Sequence, residues 1–169
     1  YQGLLPDYVR ASLNRSDDAY GGMMTMVGFG SVVGTLGLAS IAGRRWYRAG
    51  YVVTATASGL ALVGMALAHS LALALLMAAI AGAAQSAFMA ISLTFLQQLS
   101  SDAYVGRVTG VYNFFAGGAM ATLSWSFGGL ASVASPAPVM LTSGMAFSIV
   151  VVVAGLTSRR ARLLYANGV

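Results

Sequence analysis

Charge along this chain is confined to short breaks between long apolar runs. Residues 19–43, 49–101 and 108–158 contain no Asp, Glu, Lys or Arg. A membrane-spanning helix needs about 20 apolar residues to cross about 30 Å of hydrocarbon. The first run therefore predicts one span, and each of the other two predicts a pair. Both longer runs have a break near the middle. One is "AHS" at 68–70. The other is "ASPAP" at 134–138, whose two prolines disfavour continued helix. The predicted spans are about 19–42, 51–68, 71–97, 107–132 and 139–157. Strands are not expected, because the runs lack period-2 alternation and exceed the roughly 10 residues of a barrel strand. Residues 1–18 read as the end of a preceding helix and an outer loop, and 19–169 as a transmembrane bundle. The expected class is an all-α integral membrane protein with five transmembrane helices.

Composition supports the same class. Hydrophobic residues make up 58% of the chain and charged ones 8%, against roughly 25% charged in a soluble domain. Too few polar groups exist to cover a water-facing surface, so the lipid bilayer is the expected surround. The net charge of +5 does not point to nucleic acid, because the arginines sit in patches between apolar runs rather than on one polar face. With no cysteine, disulfides, thiol catalysis and zinc–thiolate sites are excluded. Nothing resembles a phosphate-binding loop, a catalytic triad or a metal cluster, so no enzyme, cofactor or metal is expected. The chain begins at Tyr1 with no basic segment ahead of an apolar one. It reads as lacking a signal peptide and as part of something longer.

All nine cationic residues are arginine, and five alternating spans sort them. Arg44, Arg45, Arg48, Arg107, Arg159, Arg160 and Arg162 fall on one side, and only Arg10 and Arg15 on the other. Cytoplasmic loops carry the excess of basic residues. The "GRRWYRAG" turn at 43–50 and the C-terminus are therefore expected in the cytoplasm, with the protein integral to the cell (inner) membrane. Asp7, Asp17, Asp18 and the turn holding His69 fall outside, and Asp102 inside.

Three stretches carry a family resemblance. "GFGSVVGTLGLASIAGRRWYRAG" resembles the loop motif of the major facilitator superfamily, where a small-residue helix end runs into a short basic turn. The family motif usually has an aspartate before its basic residues. Ile41 and Ala42 stand there, so this stretch resembles the degraded second copy, between the eighth and ninth helices. "SSDAYVGRVTGVYNFF" resembles the start of the eleventh helix in the transmembrane secretion effector branch, which includes siderophore and drug exporters. Asp102, Gly106 and Arg107 match, and Val105 replaces an arginine. "LLPDYVRASLNRSDDAYGGMM" resembles the end of the seventh helix and its outer loop. The resemblance implies helices eight to twelve of a twelve-helix transporter, five spans of one six-helix bundle. Its partner would be the N-terminal half of the same protein. It further implies a secondary active exporter of a small apolar or amphipathic molecule, working by alternating access. The rival reading is a non-transporting subunit or scaffold of a larger membrane complex that keeps this fold.

The polar residues inside the spans are few. Gln85 and Ser86 lie mid-span, and Asn113 lies two turns inside its helix. An unsatisfied amide in hydrocarbon costs several kcal/mol, so Gln85 and Asn113 are expected to face protein or water. They either line a substrate path with Phe88, Met89, Tyr112, Phe115 and Trp125, or bond across helices. Polarisable Met and aromatic groups suit variable apolar ligands. Gly30 with Gly34, and Gly106 with Gly110, are small-xxx-small pairs that allow close helix packing, either static or sliding. Arg107 has three roles open: pairing with Asp102, meeting the partner half as a cytoplasmic gate, or snorkelling as an anchor. Arg44, Arg45 and Arg48 are likewise gate candidates, with Asp102 as the available carboxylate. No ionisable residue lies deep in any span, so no proton-relay carboxylate is expected in this segment. The spans at 51–68 and 139–157 carry only Ser and Thr as polar groups, which suits lipid contact.

Overall fold

The computed structural model describes residues 1–11, 13, 17–40, 44–131 and 135–157. A 3-10 turn (Gln2–Leu4) leads into α1 (Leu5–Ala11). Five long helices follow: α2 (Asp17–Ser40), α3 (Arg44–Ala66), α4 (Leu71–Gln98), α5 (Val105–Ala131) and α6 (Pro136–Thr157). Among the described residues there is no strand.

The helix ends follow local chemistry. Between α3 and α4, Ser70 is extended (φ −136°, ψ 147°), and its hydroxyl accepts a bond from the Leu73 amide at 3.3 Å. That N-cap satisfies one of the donors a helix start leaves open. Pro136 opens α6, at the position where a missing N–H breaks no helical bond. The expected break around 134–138 is therefore shorter than its two prolines suggested. The basic turn differs more. Arg44 is the first residue of α3, so the three arginines stand on helical turns rather than in a loop. Arginine and alanine are good helix formers, and no proline interrupts them. The side chains of 44–49 lie outside the described ones.

Among the described residues, three helices are long and apolar enough to cross a membrane: Asp18–Ser40, Leu71–Gln98 and Pro136–Val153, with mean hydropathies of 1.5, 1.9 and 1.9. The apolar part of α3, Gly50–Ala66, is shorter. Helix α5 is 27 residues long yet is not among them. Its glycines, Asn113 and Arg107 dilute its apolar character.

Helix α4 is central. It packs against α2 on one side and α3 on the other, and α3 packs in turn on α6. Helix α5 touches the rest only lightly, through α4, α6 and the N-terminal turn. The buried core gathers at one end of the bundle. There α1 lays Leu5, Tyr8 and Val9 against Met23 and Val27 of α2, Met65 of α3, Ala74 and Ala78 of α4, and Met140 of α6. Tyr8 is fully buried, and its hydroxyl donates to the Met65 carbonyl near the end of α3. Along the rest of the bundle large apolar groups face outward, among them Phe29, Leu36, Val53, Leu60 and Val150. The hydroxyls of Thr25, Thr35, Thr94 and Thr142 return to carbonyls of their own helices, so each is satisfied without a neighbour. That surface suits a bilayer.

Candidate functional site

Two interfaces hold the bundle at backbone distance. A Cβ built on Gly30 would strike the Ala79 carbonyl, one on Gly34 the Ala83 carbonyl, and one on Gly82 the Val27 carbonyl. All three approaches fall inside the 3.0 Å that real Cβ atoms keep. Helices α2 and α4 therefore meet main chain to main chain. That proximity brings carbonyls within reach of hydroxyls across the seam. Ser86 Oγ donates to the Ser31 carbonyl (3.0 Å), and Ser31 Oγ stands 3.3 Å from the Gly82 carbonyl. Gly59 and Gly144 make a second such contact between α3 and α6, with a Cβ on Gly144 only 2.7 Å from the Gly59 carbonyl.

Helix α5 is built differently. A Cβ on Gly106, Gly110, Gly117 or Gly118 would meet nothing within 4 Å. Helical periodicity puts Gly106, Gly110, Asn113, Gly117, Ala121 and Ser124 on one stripe. Among the described residues the stripe is covered at its Ser124 end, where a Cβ on Gly3 would lie 3.0 Å from the Ser124 carbonyl. At the other end Gln97 Nε2 donates to Thr109 Oγ1 at 3.3 Å and ties α5 to α4. Asn113 between them is exposed.

The residues expected along a path divide accordingly. Gln85, Ser86 and Met89 are half-buried on α4, with Ser86 engaged in the α2 seam. Phe88 faces the other way. Its ring lies 4.8 Å from Tyr51 of α3 and edge-on to Phe147 of α6 at 6.4 Å. This aromatic cluster is helix packing. Phe115 and Trp125 are 69% and 83% exposed on α5, and Phe115 meets Phe114 edge-on at 5.7 Å. Tyr112 and Phe115 line an open groove of about 370 Å³ with Leu96, Arg107, Val108 and Val111. Trp125 borders a second opening with Ser124, Ser126 and Gly129. Gln85 and Asn113 line neither.

Arg107 makes no ion pair with Asp102. Its guanidinium lies over the Tyr104 ring, 5.6 Å from the centroid. Arg44, Arg45 and Arg48 begin α3, and whether they join a gate lies outside the described side chains. Three features carried little sequence signal. Gly82 is hidden among alanines, Gly59 and Gly144 stand on separate helices, and Gln97 pairs with Thr109 across a turn. The spacing of Ala79, Gly82, Ala83 and Ser86 is the one clue to the α4 side of the seam.

A family model described as transmembrane secretion effector matches residues 2–164. No curated protein and no solved structure matches the chain.

Proposed function

The chain belongs to the transmembrane secretion effector family of the major facilitator superfamily, and from that premise we propose that it forms one side of an exporter. The cargo is a small apolar or amphipathic molecule, moved by alternating access. The observation that carries this reading is α5. It is a membrane-length helix too polar for lipid on the stripe through Gly106, Asn113 and Gly117, and its own bundle leaves that stripe uncovered. A second bundle with a polar path between the two supplies what Asn113 lacks. On this reading the second bundle is the N-terminal half of the same transporter. The end bearing Arg44, Arg45, Arg48 and Arg107 is cytoplasmic, and the membrane is the inner one. Gln85 and Met89 line the path from α4, and Asn113 from α5.

The reading is tested first by the intact mass of the native polypeptide extracted from membranes, expected at more than twice 17.3 kDa. Efflux of an apolar fluorescent amine from vesicles holding that polypeptide is then compared with Gln85→Leu and Asn113→Leu. Each substitution is expected to slow efflux about tenfold, the size of one lost hydrogen bond, with membrane levels unchanged. Unchanged efflux in both variants removes Gln85 and Asn113 from the path, and efflux no faster than from protein-free vesicles favours instead a subunit that keeps the fold without transporting.

A further inference from the structure

Arg107 stands at one mouth of the α4–α5 groove, and the remaining lining is apolar apart from the Tyr112 hydroxyl: Leu96, Val108, Val111 and Phe115. The groove face is opposite the Gly106–Asn113–Gly117 stripe, by the periodicity of the helix. It is therefore separate from the proposed transport path. The depth of Arg107 follows from length. A helix of 27 residues measures about 40 Å, against about 30 Å of hydrocarbon. About three residues at each end thus project into the headgroups. Arg107 is the third residue of α5, so its guanidinium sits at the boundary between headgroup and hydrocarbon. Phe115, eight residues further on, lies about 12 Å deeper. Tyr104, on which the guanidinium stacks, occupies the level where aromatic rings collect in membrane proteins. No carboxylate among the described residues competes for the cation.

We propose that this groove holds one acyl chain of an anionic phospholipid, with its phosphate on Arg107. The chemistry is complementary at both ends. The planar guanidinium bonds a phosphate through two N–H groups, and the apolar trough runs from that point into the membrane for the length of half an acyl chain. A zwitterionic lipid fits the trough equally well, but its choline cation weakens the attraction at the mouth.

Native mass spectrometry of the full chain tests the assignment. The protein is released from detergent after equilibration with equal amounts of dioleoyl-phosphatidylglycerol and dioleoyl-phosphatidylcholine. The expected result is one retained phosphatidylglycerol in about fivefold preference, the worth of one basic group at a membrane surface. Arg107→Gln is expected to abolish the preference. Val111→Trp fills the trough while leaving the charge, and is expected to reduce retention of both lipids. Equal retention of the two lipids by the unaltered protein overturns the proposal. So does an undiminished preference in Arg107→Gln, or undiminished retention in Val111→Trp. Helicity by circular dichroism is recorded for both variants, and both substitutions fall outside the buried core.

Discussion

Gly82→Val is expected to separate α2 from α4 and to destabilise the bundle by about 3 kcal/mol or more. Overpacking a core usually costs about 1–3 kcal/mol. Here the obstacle is the Val27 carbonyl, which has no rotamer to change. The helices must part to admit the side chain, and parting also strains the Ser86–Ser31 and Ser31–Gly82 contacts. Hydrogen bonds of that kind between membrane helices average about 0.6 kcal/mol each, so the steric term dominates. Gly110→Ala on α5 is the matched control. Nothing lies within 4 Å of its Cβ, and alanine is a better helix former by about 1 kcal/mol. Unfolding in a graded sodium dodecyl sulfate titration, followed by circular dichroism, reads both. The midpoint falls sharply for Gly82→Val and stays level or rises for Gly110→Ala. Equal midpoints for the two would contradict the backbone contact.

The contrast between these glycines bears on transport. The α2–α4 and α3–α6 seams each exclude a side chain, and α3 packs on α4, so those four helices are held together. Among the described residues helix α5 meets them lightly, with Gln97–Thr109 at one end and the Gly3–Ser124 approach at the other. On the proposed reading, contacts that tight favour static packing over sliding within the α2–α4 seam. The exposed glycines of α5 carry no such restriction.

What the chain disclosed beforehand follows from which signals are local. The all-α membrane class was legible because run length and the absence of charge are local properties. Gly30 and Gly34 were legible as a close-packing pair for the same reason. Their partner Gly82 was not, because it sits among Ala78, Ala79, Ala81, Ala83 and Ala84, where most faces of the helix are small. Phe88 looked equivalent to Met89 and Tyr112, yet it turns toward Tyr51 and Phe147. Periodicity places a residue on a face but does not say which helix that face meets. The basic turn misled for another reason. Charge marks where a chain leaves the bilayer, whereas a helix ends where its hydrogen bonding ends, and α3 starts at Arg44, before the apolar run begins.

Tyr8→Ala is expected to undock α1 and open the buried end of the bundle. Nothing local announces this contact, since Tyr8 and Met65 are 57 residues apart in sequence. Tyr8 is fully buried among Leu4, Leu5, Met23, Met65 and Met140, and removing a large aromatic from such a site costs about 3–5 kcal/mol. Tyr8→Phe separates the ring from the hydroxyl. The Met65 carbonyl also accepts from the Ala68 amide at 3.0 Å, so it keeps a partner when the hydroxyl is lost. The cost should be about 1 kcal/mol, that of an ordinary hydrogen bond, rather than the full penalty of an orphaned acceptor. The chain has no cysteine, so Ala68→Cys gives a single reporter at a position only 7% exposed. Its reaction with a polar maleimide in detergent measures how often that end opens. A loss of about 3 kcal/mol raises the open fraction roughly 100-fold, and one of about 1 kcal/mol only about fivefold. Tyr8→Ala should therefore label roughly 20 times faster than Tyr8→Phe. Equal rates in the two would show that the hydroxyl, not the ring, holds α1 in place, and that the core at this end does not depend on it.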